Sequence, residues 1–145
     1  MFDPKTHWEN IYGQKKPGEV SWYKPHLDLS LRILTNAGLN RSSHIIDVGA
    51  GASTLVDDLV KLGTKAITIL DISGEALAVS KERLGQQANT VEWVEADITQ
   101  ARLRKEYYDI RHDRGTQGAG STCHGDVQSG GPASMQRVGY CQVQP

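Results

Sequence analysis

Hydrophobic and polar positions along the chain switch between two periods. In PHLDLSLRILTNAG, residues 25–38, Leu27, Leu31 and Leu34 recur at helical spacing between a proline at a helix-start position and a closing glycine. HIIDVGA, residues 44–50, is a short apolar run that predicts a buried strand. STLVDDLVKLG returns to helical spacing through Leu55, Leu59 and Leu62, with Gly63 as its stop. KAITILD, residues 65–71, predicts a second buried strand. SGEALAVSKERLG predicts a helix with Ser73 at its N-cap and Gly85 at its end. TVEWVEAD and EYYDIRHD predict a third and a fourth strand, at residues 90–97 and 106–113.

Strands separated by helices of about ten residues specify an α/β fold, a Rossmann-like parallel sheet with flanking helices. The alternation stops after the fourth strand. From Gly115 to Pro145 there is no Leu, Ile, Phe, Trp, Lys or Glu, while seven of the chain's 15 glycines and both of its cysteines fall there. Such a segment buries too little apolar surface to offset its ordering entropy, so a disordered tail is expected. Three regions follow: residues 1–43 as an N-terminal lid and helix region, 44–114 as a binding half-domain, and 115–145 as the tail. The sheet therefore looks cut short after its fourth strand. The abrupt change inside a motif is what translation in a shifted frame would give, and such a truncated chain would be inactive and poorly soluble.

Composition narrows the partners. The 145 residues carry a formal charge of −1 and an isoelectric point near 6.5. Neither nucleic acid nor a membrane surface is expected as a partner. No apolar run approaches the roughly 20 residues of a membrane span. The N-terminus lacks the pattern of a signal peptide, and two cysteines build no disulfide framework. A cytoplasmic location is expected. Cys123, His124 and Cys141 match no zinc spacing, so no metal is expected.

Chemistry concentrates where strands end. Parallel sheets bind ligands at the carboxyl ends of their strands. Gly49 and Gly51 follow the first strand, where missing side chains let a backbone approach a ligand or adopt positive φ. Asp47 precedes them. Asp71 ends the second strand, 20 residues after Gly51, where a carboxylate can accept from both hydroxyls of a ribose. Asp97 ends the third strand and could accept from an exocyclic amine. Each aspartate alone could simply cap its turn. Three in register suggest a nucleotide-bearing ligand.

IIDVGAGAS, ITILDIS and VEWVEADIT, in this order and spacing, resemble the first three cofactor motifs of class I S-adenosylmethionine-dependent methyltransferases. HWENIYGQKKPGEVSWYKP resembles a subgroup with a Trp-Tyr-x-Pro element, and YYDIRHDRG resembles the family's fourth strand. The resemblance implies S-adenosylmethionine as cofactor, with Gly49 and Gly51 against its methionine end and Asp47 supporting that loop. It implies that Asp71 holds the ribose hydroxyls, Ile72 packs on the adenine, Asp97 meets the adenine amine and Ile98 lies beside it. His112 falls where related proteins line the methyl-transfer site, as a base or as a structural residue. Trp8, Tyr12, Trp22 and Tyr23 could form an aromatic lid over the sulfonium, with Trp22 touching cofactor or substrate. The implied activity is methyl transfer to a small molecule or a protein. A NAD-type dinucleotide-binding oxidoreductase is the rival reading, but its fingerprint wants a small residue where Thr54 stands and does not account for Asp97.

Overall fold

The computed structural model describes residues 3–14, 28–104, 107–113, 125–129 and 136–140. Its centre is a six-stranded sheet. Four strands are parallel: β1 (His44–Val48), β2 (Ala66–Asp71), β3 (Val91–Glu95) and β4 (Ile110–Asp113). Two more, β5 (Gly125–Ser129) and β6 (Gln136–Tyr140), extend the sheet antiparallel beyond β4. The order is β3-β2-β1-β4-β5-β6.

The helices are α1 (Pro4–Gln14), α2 (Asp28–Asn36), α3 (Leu55–Lys61) and α4 (Gly74–Leu84). Where the sequence predicts a helix from Pro25, the described helix runs from Asp28, and residues 25–27 lie outside the described residues. Ser73 caps α4 as expected, accepting the N–H of Ala76 at 3.2 Å. In α1, Asp3 stands at the N-cap with Pro4 at the first helical position, and its carboxylate accepts the N–H of Lys5.

Strand alternation sorts the core onto two faces. Ile45, Ile67, Ile69, Val91 and Ile110 pack with Leu34 of α2, Leu55, Val56 and Leu59 of α3, and Leu77 and Leu84 of α4. Ile46, Val48 and Leu70 face the other way, against Val94, Ile98, Ala101, Leu103 and Tyr108. Among the described residues no helix joins that second cluster; a coil after β3 covers the face instead. Because β1 and β2 are buried on both faces, they read as continuous apolar runs. Burying the core of such a sheet stabilises it by about 25 cal/mol per Å² of apolar surface.

Beyond Gly115, where a disordered tail is expected, residues 125–129 and 136–140 are strands paired through their backbones. Ladder hydrogen bonds need no particular side chain, so this pairing leaves no apolar trace in the sequence. The rest of the tail, with Cys123, His124 and Cys141, lies outside the described residues.

Candidate functional site

The site forms at the carboxyl edge of β1, β2 and β3. Residues 49–54 turn the chain from β1 into α3. Gly49 has φ +67° and Gly51 φ +55°, left-handed values that cost a side-chain-bearing residue about 1–2 kcal/mol. The turn is tied to its neighbour by the N–H of Gly49, which donates to the carbonyl of Leu70 at 2.9 Å. A carbon added to Gly49 would meet nothing within 4 Å, so the turn is open there.

Asp71 links two turns. Its Oδ2 accepts the N–H of Gly51 at 2.6 Å and its Oδ1 accepts the N–H of Ser73 at 2.8 Å. A carboxylate offers about four acceptor positions, so it can still accept from a ligand. The residue is only 7% exposed. Burial pushes its carboxyl above the ordinary 3.8, and the Asp47 carboxylate adds to that, while the bonds from Ser73 and Gly51 pull it down. The sign of the consequence is fixed. A raised value in the folded state means that Asp71 contributes most stability below about pH 3.8 and loses it as pH rises through its folded pKa. The stability advantage of the wild type over Asp71→Ala should therefore shrink from acid towards neutral pH in urea titrations. An advantage that grows with pH would contradict this.

Asp47 lies level with His112 across the β1–β4 pairing. The His112 Nδ1–H donates to Asp47 Oδ1 at 2.7 Å, and the two residues are 3% and 1% exposed. Both were expected at the site separately; the structure joins them. Asp97 also caps its own turn. Its Oδ1 accepts the N–H and the hydroxyl of Thr99, which hold its carboxyl below the usual range and close the turn after β3. Ile72 is half-buried between Asp71 and Ser73. Ile98 packs with Ile46, Val48 and Leu70 beneath the edge. Trp22 and Tyr23 lie outside the described residues.

Helix α1 packs against α4 and reaches this edge. The Tyr12 hydroxyl stands where a side chain on Gly51 would begin, and Tyr12 stacks on Trp8 at 6.2 Å between centroids. Lys5 pairs with Glu95 at the end of β3, at 2.6 Å. Two contributors have no sequence signal of their own: Ser80 and Arg83 of α4 reach the glycine turn from behind.

Residues 45–116 match a family described as methyltransferase domain. The chain is 25% identical over 115 residues to the eEF1A lysine and N-terminal methyltransferase of Mus musculus, covering 79% of this chain and 16% of that protein. The Homo sapiens protein of the same name is 23% identical over the same share. The chain thus spans about a sixth of the length of the curated relatives it matches. A methyltransferase from Thiobacillus denitrificans, solved with S-adenosylhomocysteine, superposes with a TM-score of 0.55 at 19% identity, over 80% of this chain and 45% of that one. Phosphoethanolamine N-methyltransferase 1 of Haemonchus contortus superposes with a TM-score of 0.60 at 15% identity, over 75% and 24%. Residues 45–116 thus match a methyltransferase domain, and the fold is the one seen in S-adenosylmethionine-dependent methyltransferases. Among the described residues, no helix is long and apolar enough to cross a membrane.

Proposed function

We propose that the carboxyl edge of β1–β3 binds S-adenosylmethionine and that the protein uses it to methylate an amine nitrogen on a protein or a small molecule. The observation that carries this reading is the link from Gly51 to Asp71. One buried carboxylate holds a left-handed glycine by its N–H and can still accept from ribose hydroxyls.

In this reading Gly49 and Gly51 lie against the methionine end, and Asp47, held by His112, supports their loop. Asp71 takes the ribose, Ile72 the adenine face and Asp97 the adenine amine. When bound, the cofactor supplies a methyl group on a sulfonium, ready for displacement by a nucleophile. The chain's own contribution is to orient the acceptor in line and exclude water. Tyr12, above Gly51, closes the edge on the N-terminal side. The amine acceptor is supported by the names of relatives, which span lysine, protein N-termini and phosphoethanolamine.

Calorimetry with S-adenosylhomocysteine and with NADH tests the cofactor, and tighter binding of NADH would overturn the reading. Asp71→Ala should weaken S-adenosylhomocysteine binding at least tenfold, since hydrogen bonds to a charged group contribute about 1.5–3 kcal/mol each. Unchanged affinity in a folded variant would remove Asp71 from the site. Transfer of labelled methyl groups to a lysate, separated by size, would distinguish protein from small-molecule acceptors.

A further inference from the structure

The glycine turn is held on its carbonyl side by a single helix. Three successive carbonyls, of Gly51, Ala52 and Ser53, each meet a side chain of α4. Ser80 Oγ donates to Gly51 O at 3.5 Å, Arg83 Nη1 to Ala52 O at 3.2 Å and Arg83 Nη2 to Ser53 O at 2.7 Å. The same guanidinium forks onto Asp57 in the first turn of α3, with Nε at 3.0 Å from Oδ1 and Nη2 at 2.7 Å from Oδ2. Ser80 and Arg83 are three residues apart, so α4 presents both on one face.

This placement answers a need that the turn itself creates. Two left-handed glycines leave residues 49–53 with few local constraints and a large conformational entropy to lose. At the start of α3 the N–H of Leu55 donates to Ser53 Oγ at 3.1 Å, so the same short turn also caps the helix. An arginine fork can satisfy two carbonyls and a carboxylate in one plane; an ammonium cannot. The side chains of Arg83 and Asp57 are 24% and 20% exposed, so the pair is far better shielded than the half-exposed Lys5–Glu95 bridge.

We propose that Arg83 is a positioning residue for the cofactor: clamped by Asp57, it fixes the carbonyls of Ala52 and Ser53 and so holds the glycine turn in the shape that the ligand meets. The proposal rests on the S-adenosylmethionine reading above. It requires no contact between Arg83 and the cofactor.

The test uses the full chain with Arg83→Ala, Arg83→Lys and Asp57→Asn. Two readouts are taken: S-adenosylhomocysteine affinity by calorimetry, and amide exchange in the ligand-free protein. Arg83→Ala should weaken binding about tenfold or more and speed exchange at Gly51–Ser53, while exchange at Ile67–Leu70 stays unchanged. Arg83→Lys should not restore either property, because it keeps the charge without the fork. Ethylguanidine added to Arg83→Ala should recover part of the affinity. Asp57→Asn, which leaves both carbonyl bonds in place, should cost less than threefold. A wild type that fails to bind S-adenosylhomocysteine overturns the cofactor reading. A wild type that binds, beside an Arg83→Ala variant with equal affinity or an Arg83→Lys variant with full recovery, overturns the role of Arg83 alone.

Discussion

Replacing His112 with alanine is expected to destabilise the chain by about 3–5 kcal/mol, the range for removing one partner of a buried polar pair that includes a charge. The ring is 3% exposed and its Nδ1–H is the donor to Asp47 Oδ1 at 2.7 Å. Alanine removes that donor from a carboxylate that is itself 1% exposed. It also leaves a cavity between β1 and β4, which pair level with each other at these two residues. A loss of this size is a large part of the 5–15 kcal/mol that holds most domains together. By contrast, breaking the half-exposed Lys5–Glu95 bridge should cost at most about 1 kcal/mol. His112→Asn retains a donor of shorter reach and should recover part of the loss. Urea unfolding followed by circular dichroism measures all three. A cost under about 1 kcal/mol for His112→Ala would mean that the pair adds nothing beyond an ordinary exposed contact.

The Asp47–His112 pair also marks the limit of what the residues could say by themselves. IIDVG and DIRHD each read as a strand, because β-branched and apolar runs between turn residues carry that signal directly. Helix α3 was legible through its leucine spacing and Gly63, and α4 through Ser73 at its start and Gly85 at its end. The carboxyl-edge positions of Gly49, Gly51, Asp71 and Asp97 followed from strand order alone. Which side chains meet across that edge did not follow, since it depends on register: Asp47 faces His112 only because Val48 pairs with Asp113. Arg83 was invisible for a similar reason. An arginine near a helix end usually reads as a solvated charge that complements the helix dipole, and nothing local shows that two loop carbonyls lie within its reach. Helix α1 was obscured by its composition. It buries no residue, so no apolar stripe announces it. Asp97 shows a use that was legible, since its Oδ1 caps the turn after β3 as a lone aspartate there can.

Gly51→Ala is the second substitution expected to have a large effect, and it can be separated into two causes. The first is backbone strain: at φ +55° an alanine costs about 1–2 kcal/mol whatever surrounds it. The second is Tyr12, whose hydroxyl occupies the place of the new methyl group while its ring carbon Cζ lies at 3.2 Å. Tyr12 must move, and α1 carries it, so the contact of α1 with the edge should loosen as well. Gly49→Ala isolates the first cause, because its φ of +67° is equally strained but no atom lies within 4 Å. Gly49→Ala should therefore lower stability by about the strain alone, and Gly51→Ala by about 1–2 kcal/mol more, within the range for overpacking. Both should weaken S-adenosylhomocysteine binding, Gly51→Ala more, since its N–H is the one held by Asp71. Adding Tyr12→Phe to Gly51→Ala removes the hydroxyl and should return part of the stability without touching the strain. The double-mutant cycle reads that interaction directly. If Gly49→Ala and Gly51→Ala cost the same, and Tyr12→Phe is additive with Gly51→Ala, then α1 does not bear on the glycine turn.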